Sequence, residues 1–195
     1  MLKTSFVKAT LCATVIAAGL ASCGKEPDAK RPPAPATASP APAAPAAAGG
    51  AVGAPHGTTL AEGIDFAKPG YPAFVKDVQG VSGVEAWGRW TDANLAPGAR
   101  IRFDRPLPKA FTLELRLSAL GPNASKPVKI RAGAVEKTVT IGAGGATSHR
   151  VEFAGVDGDT IEIVPPEPIL PGVVMPGNPD TRKVGVGLIS LRIQS

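Results

Sequence analysis

The stretch FTLELRLS, residues 111–118, alternates strictly between apolar and polar side chains. Successive side chains of a β-strand point to opposite faces of its sheet, so this alternation predicts a strand with one apolar face and one solvated face. We expect Leu115 to be fully buried in a central strand. Glu114 should lie on the opposite, solvated face.

The same alternation recurs in shorter stretches, each bounded by Gly, Pro, Asn or Asp: residues 99–104, 128–131, 150–153 and 160–163. Residues 135–141 are rich in Val and Thr, but Lys137 falls on their apolar parity, which indicates an edge strand. The folded part shows no convincing repeat with the 3.6-residue period of a helix. Short strands separated by turn signals predict an all-β antiparallel sandwich of the jelly-roll or galactose-binding-like kind.

The last strand should begin near Lys183 and pair centrally. Val186 and Leu188 hold one parity while Ile189 and Leu191 hold the other, which predicts a β-bulge or a strand buried on both faces. Before it, residues 165–179 carry six prolines among apolar side chains. We expect a long, stiff loop that covers an open sheet edge or the end of the core, or that serves as a contact surface.

The N-terminal residues read as an export signal. Lys3 and Lys8 precede a short apolar run at residues 9–18, which is too short to span a bilayer stably. The sequence LASC at residues 20–23 then resembles the bacterial lipobox. This resemblance implies that residues 1–22 are a lipoprotein signal peptide and that Cys23 is lipidated. Gly24 follows in place of Asp, which by the same resemblance favours the outer membrane, facing the periplasm.

Residues 23–60 are dominated by Ala and Pro and predict a disordered, semi-rigid tether. The folded domain is expected over residues 61–195. Cys12 leaves with the signal peptide and Cys23 is acylated, so the domain has no thiol for a disulfide. The tether would lift the domain away from the membrane that holds its lipid.

The chain's two tryptophans lie in the stretch EAWGRWTD, residues 85–92. If this stretch is extended, Glu85, Trp87 and Arg89 share one face and Trp90 lies on the other. We therefore expect Trp90 to anchor the core and Trp87 to belong to a site. The simpler interpretation is that both tryptophans are structural, because buried indoles are common in β-domains.

Other chemistry has little support in the sequence. His56 and His149 are isolated, so no metal site and no cofactor are expected, and the acidic tripeptide at residues 157–159 is better explained as a turn. No catalytic triad or nucleophile elbow is visible, and Glu85 and Asp92 are a glycosidase pair only by their proximity in sequence. The net charge of +5 is not concentrated in a basic run, so no nucleic-acid partner is expected.

A glycan-binding site is easier to assemble. Sugar recognition uses an aromatic face together with directional polar groups, and Trp87 supplies such a face. The polar candidates are Glu85, Arg89, Asn123, Asp180 and Arg182. The alternatives are that Asn123 is a turn residue and that Asp180 and Arg182 form a structural ion pair.

Several motifs in order carry a resemblance to a known family: residues 64–72, 80–90, 120–123, 164–166 and 180–188. Together they resemble the β-sandwich domain appended to bacterial membrane phosphoglycerol transferases, the enzymes that decorate periplasmic glucans. The similar region runs from about Glu62 to Ser195, and the metal-binding catalytic region of those enzymes is not part of it. The resemblance therefore implies an accessory envelope module without transferase activity.

We accordingly expect a non-enzymatic, lipid-anchored lipoprotein that binds an envelope glycan or an enzyme acting on one. The first alternative is a structural or protein-interaction lipoprotein that uses the loop at residues 165–179. The second is a glycan-modifying enzyme with an unrecognised site.

Overall fold

The computed structural model describes residues 56–195. The predicted signal peptide, Cys23 and most of the predicted tether therefore lie outside the described residues. The described part contains short 3₁₀ segments at Gly121–Asn123 and Pro171–Val173, but no α-helix. Its strands are β1 (Ile64–Asp65), β2 (Val75–Gln79), β3 (Arg89–Asp92), β4 (Ala99–Phe103), β5 (Ala110–Ala119), β6 (Pro127–Ala132), β7 (Val135–Thr140), β8 (Thr147–Ala154), β9 (Thr160–Val164) and β10 (Val184–Gln194).

The strands form two antiparallel five-stranded sheets. In the front sheet, β10 pairs with β1 and β3 along one edge and with β5 along the other, and β8 follows β5. The back sheet has the order β2-β4-β9-β6-β7. The chain crosses between sheets at each step from β3 to β6 and again from β7 to β10. This strand order is that of a jelly roll, which confirms the predicted fold class.

The apolar parity of each strand faces the space between the two sheets. Leu113 and Leu115 of β5 are 0% and 2% exposed, and they pack with Ile101 of β4 and Ile161 of β9 in one core. Glu114 lies on the other side of β5, half-buried. The prediction of a central β5 with Leu115 buried is confirmed, because β5 pairs with β8 and β10 on its two edges.

The remaining strand predictions also agree with the pairing. Lys137 lies in β7. Among the described residues 56–195, β7 pairs only with β6, so β7 is an edge strand. The register between β10 and β5 shifts between Leu188 and Ser190, where the parity switch predicted a bulge. This bulge keeps apolar residues on the core side before and after it.

The loop at residues 165–179 extends the front sheet beyond the end of β5. Ile169 pairs with Val184 through an isolated antiparallel bridge, at the start of β10. The loop thus covers one sheet edge, although part of its apolar surface stays exposed. No helix within residues 56–195 is long and apolar enough to cross a membrane.

Candidate functional site

The two tryptophans lie in a hairpin rather than in a continuous extended strand. Glu85 and Gly88 exchange backbone hydrogen bonds of 2.8 and 3.2 Å, so Ala86 and Trp87 form the tip of a two-residue turn. Beyond it, β3 runs back beside Ser82, whose backbone amide donates to the Trp90 carbonyl. The expectation of alternating faces across residues 85–90 is therefore wrong, because the turn interrupts the alternation.

Both indoles lie on the outer face of the front sheet. Trp90 is the cross-strand partner of Gly187, and cross-strand partners share a face. The neighbours of Gly187 in β10, Val186 and Leu188, are buried in the core, so Gly187 faces outward. Trp90 is half-buried and lies outside the core cluster, so the expectation that it anchors the core is also wrong.

Gly187 makes room for the Trp87 ring. A Cβ atom at this position would lie 2.8 Å from Trp87 Cη2 and 2.2 Å from Ser118 Oγ. The ring centroids of Trp87 and Trp90 are 4.9 Å apart with an interplanar angle of 72°, an edge-to-face contact. We call this cluster of Trp87, Trp90, Ser118 and Gly187 the tryptophan end of the outer face.

A network of charged groups holds the Trp87 indole in place. Trp87 Nε1 donates to Glu85 Oε2 at 3.0 Å, and Arg182 Nη1 donates to Glu85 Oε1 at 3.0 Å. Arg182 also donates two hydrogen bonds to the Asp180 carboxylate, from Nε and from Nη2. The hydrogen bonds from Arg182 hold the pKa of Asp180 below its usual range, and the same bonds raise the pKa of Arg182. Four of the candidate site residues are thus brought together: Glu85, Trp87, Asp180 and Arg182.

Arg89 lies apart from this cluster, on the inner side of β3. It is only 9% exposed, and its Nε donates to the Phe66 carbonyl at 3.2 Å. Its Nη2 donates to the carbonyls of Lys68 and Gly70, and its guanidinium lies 4.8 Å from the centre of the Tyr71 ring. The arrangement ties the loop after β1 to the sandwich. The predicted sharing of one face by Arg89 and Trp87 does not occur.

Asn123 is also withdrawn from the surface. It is 0% exposed, its Nδ2 donates to the carbonyls of Leu120 and Glu167, and its Oδ1 accepts from the Glu167 amide. These bonds attach the loop at residues 165–179 to the end of β5. Its side-chain amide is thus bound within the protein and offers no exposed group to a ligand.

The suggested carboxylate pair is already engaged. Both Glu85 oxygens accept the hydrogen bonds described above, and Asp92 is 5% exposed and accepts from the Asn94 amide at 3.0 Å. Within residues 56–195 there is no group of His, Cys, Asp or Glu side chains positioned to hold a metal ion.

The outer face continues from the tryptophan end into a depression of about 330 Å³. It is lined by outward side chains of three adjacent strands: Glu114, Arg116, Ser148, Arg150, Ser190 and Arg192. Arg116 is the cross-strand partner of Ser190 and Ser148, and Glu114 is the partner of Arg192 and Arg150. We call this group the arginine depression. The sequence pattern does not reveal this group as a site, although strand alternation predicts that Glu114 faces outward.

These features define a class of protein: a jelly-roll domain whose open sheet face carries aromatic side chains at one end and arginines at the other. Residues 55–195 match the family described as Domain of unknown function (DUF7024), and the chain belongs to this family. No solved structure matches the chain.

The chain is also similar to part of much longer proteins. Over 136 residues it is 37% identical to phosphoglycerol transferase I of Escherichia coli O139:H28 (strain E24377A / ETEC). The protein of that name from Shigella boydii serotype 18 (strain CDC 3083-94 / BS512) shows the same identity over the same length. The matched region is 68% of this chain but only 17% of each relative. The resemblance to a domain associated with phosphoglycerol transferases is thereby confirmed.

Proposed function

We propose that this protein is a non-catalytic module of the bacterial cell envelope whose outer front-sheet face binds glycan. The observation that carries the proposal is the pair of tryptophans on an open polar face. Trp87 and Trp90 contact each other there instead of entering the core. An indole provides a large apolar surface with few rotatable bonds, which suits the C–H face of a sugar ring.

The charged network supports this proposal because it orders the aromatic surface before any ligand arrives. The Trp87 N–H is held by Glu85, and Glu85 is held by Arg182. A side chain that is already ordered loses little conformational entropy on binding, which favours affinity. The Glu85–Arg182 pair is half-exposed, so its own contribution to stability is small and a role in positioning explains it better.

The similarity to phosphoglycerol transferase I supports an envelope glycan as the ligand. The name of these relatives describes transfer of phosphoglycerol, and the family that the motifs resemble decorates periplasmic glucans. The chain spans only 17% of the relatives, so we propose the binding of such a glucan and not the transfer reaction. Under this proposal Cys23 anchors the module by lipid in the outer membrane, facing the periplasm.

Calorimetric titration of the full chain with periplasmic glucan tests the glycan proposal. We expect wild type to bind and Trp87→Ala to lose about fivefold or more in affinity, since a stacked ring contributes on the order of 1 kcal/mol or more. Trp87→Phe should retain part of the affinity, because it keeps an aromatic face. Absence of binding by the folded wild type, or equal binding by Trp87→Ala, would contradict the proposal.

The anchor is tested by labelling with palmitate. The full chain should incorporate the label and sediment with membranes, whereas Cys23→Ser should do neither. A single acyl chain gives only marginal membrane binding, while several chains hold stably. Continued labelling and membrane retention of Cys23→Ser would show that the lipid is attached elsewhere or that another segment provides the anchor.

A second candidate function is protein binding through the loop at residues 165–179. Leu170, Val173, Val174 and Met175 are 41%, 69%, 40% and 43% exposed, an apolar group that the core does not use. Such a group is typical of an interaction surface. If its partner is a glycan-modifying enzyme, Val173→Asp with Met175→Asp should abolish co-purification with phosphoglycerol transferase while glucan binding persists. Co-purification that survives both changes would exclude this surface.

A further inference from the structure

We propose that the arginine depression is an anion subsite that binds a phosphate ester carried by the glycan. The site is made by Arg116 of β5, Arg150 of β8 and Arg192 of β10, together with the hydroxyls of Ser148 and Ser190. This inference rests on the proposed function, because the subsite lies on the same face as the tryptophan end. The inference extends the proposed function by naming a phosphate ester as the glycan substituent that the outer front-sheet face recognises.

The first argument is the charge balance of the depression. Its lining contains three guanidinium groups and one carboxylate, Glu114, which pairs with Arg150 Nη2 at 2.9 Å. Arg116 and Arg192 form no ion pair with any residue in the described range 56–195. The next carboxylate along β8, Glu152, lies outside the lining. The depression therefore carries an excess of positive charge.

The outer face of the back sheet provides the contrast. There Arg102 pairs with Asp159 at 2.9 Å, Arg131 pairs with Glu136 at 2.7 Å, and Arg100 lies 3.6 Å from Glu162. Each of these outward arginines is thus neutralised by a neighbour on its own sheet. Arg116 and Arg192 of the front sheet have no such neighbour within residues 56–195, and a bound anion would supply the missing negative charge.

The second argument is the spacing of the groups. In the antiparallel registers Arg116 is diagonal to Arg192 on one side and to Arg150 on the other. Diagonal neighbours lie about 7–8 Å apart, a distance that long side chains bridge easily. The guanidinium groups of Arg116 and Arg192 are therefore within reach of one anion, beside the hydroxyls of Ser190 and Ser148, which are the direct partners of Arg116. Arg150 lies at the same distance on the other side, where its Nη2 is held by Glu114.

The geometry favours a phosphate ester over a carboxylate. A carboxylate presents two oxygens and is satisfied by one bidentate guanidinium. Arginines that arrive from three different strands, with two hydroxyls between them, match an acceptor whose oxygens point in several directions. Phosphate has this shape and is a preferred partner of arginine.

The position of the depression joins it to the tryptophan end. Ser118 Oγ and the Trp87 ring both lie next to Gly187. Ser118 is two residues from Arg116, on the same face of β5. Two strand residues span about 7 Å, so one saccharide chain can reach both places. Sugar rings would contact the indoles while the phosphate ester on a neighbouring ring reaches the arginines.

The test uses calorimetry on the full chain with two matched probes: phosphoglycerol-substituted periplasmic glucan, and the same glucan after removal of its phosphoglycerol. Wild type should bind the substituted glucan at least about tenfold more tightly at low salt, since charge-assisted hydrogen bonds contribute about 1.5–3 kcal/mol each. Arg116→Gln with Arg192→Gln should remove this preference and leave affinity for the unsubstituted glucan unchanged. Arg100→Gln with Arg102→Gln, which removes the same charge from the back sheet, should preserve the preference.

The outcomes separate the two proposals. Equal affinity of wild type for both glucans, or a preference that survives Arg116→Gln with Arg192→Gln, overturns the anion subsite even if Trp87→Ala abolishes glucan binding. Loss of preference in the back-sheet control also overturns it, because net charge alone would then explain the effect. Binding of only the substituted glucan, abolished by the front-sheet pair and unaffected by Trp87→Ala, supports the subsite and contradicts the tryptophan contact.

Discussion

Gly187 decides where the two indoles lie. Its missing side chain leaves the space on β10 that the Trp87 ring fills, and its cross-strand partner is Trp90. Any larger residue would meet the side chains of Ser118 and Trp87, with Ser118 Oγ at 2.2 Å from an added Cβ. A glycine in the middle of a strand is otherwise unfavourable, so its presence here is explained by this close approach.

Replacing Gly187 by Ala should therefore displace Trp87 and disturb its edge-to-face contact with Trp90. We expect a changed near-ultraviolet circular dichroism spectrum and a loss of about 1–3 kcal/mol in the free energy of unfolding, the usual cost of overpacking. Gly142→Ala is the matched control, because nothing lies within 4 Å of a Cβ atom there. An unchanged tryptophan spectrum in Gly187→Ala would show that the ring does not occupy this space.

β5 organises the front sheet because it separates two kinds of surface. Its odd residues from Phe111 to Leu117 are buried, while Thr112 to Ser118 on the even positions face outward. The inner side joins the apolar core between the sheets, and the outer side connects the tryptophan end to the arginine depression. One strand thus provides both the stability of the sandwich and the floor of the proposed site.

Leu115→Ala should lower the free energy of unfolding by about 2–5 kcal/mol, because it removes buried methyl groups and leaves a cavity between the sheets. Glu114→Ala, one residue away on the outer side, should cost about 1 kcal/mol or less, since its ion pair with Arg150 is partly exposed. Urea unfolding of both variants provides the comparison. Similar losses for the two changes would indicate that the outer face is also covered.

Alternation along the strands was sufficient to predict the jelly roll. In a strand with one buried face, every second side chain is apolar, so the sequence shows which face is buried. It also predicted Leu115 in the core, Lys137 on an edge and the bulge after Leu188. Each of these features depends on residues that are neighbours in the sequence, which is why the sequence alone predicts them.

The site was less predictable because it depends on a turn and on distant pairing. The hairpin tip at Ala86 and Trp87 breaks the alternation, so the structure has Trp90 on the outer face and Arg89 buried, the reverse of what strict alternation predicts. Arg116 and Arg192 become neighbours only through the register of β5 and β10. Residues so far apart in sequence carry no local signal of that contact.

At the scale of the whole molecule, the two outer faces differ in how their charges are satisfied. The back sheet pairs its arginines with nearby carboxylates, whereas the front sheet leaves Arg116 and Arg192 available beside the exposed Ser148 and the half-buried Ser190. The Glu85–Arg182–Asp180 network borders this face at its tryptophan end. We therefore expect the ligand to bind to the outer face of the front sheet. Variants of the back-sheet arginines provide the matched control for this expectation.

Titration of the isotope-labelled full chain with periplasmic glucan, followed by nuclear magnetic resonance, tests this central claim most directly. We expect shifts in the indole N–H signals of Trp87 and Trp90 and in the backbone amides near Ser118 and Gly187. With phosphoglycerol-substituted glucan, the shifts should extend to the amides around Arg116 and Ser190. Shifts confined to the back sheet, or no shifts with either glucan while the spectrum shows a folded domain, would contradict the account.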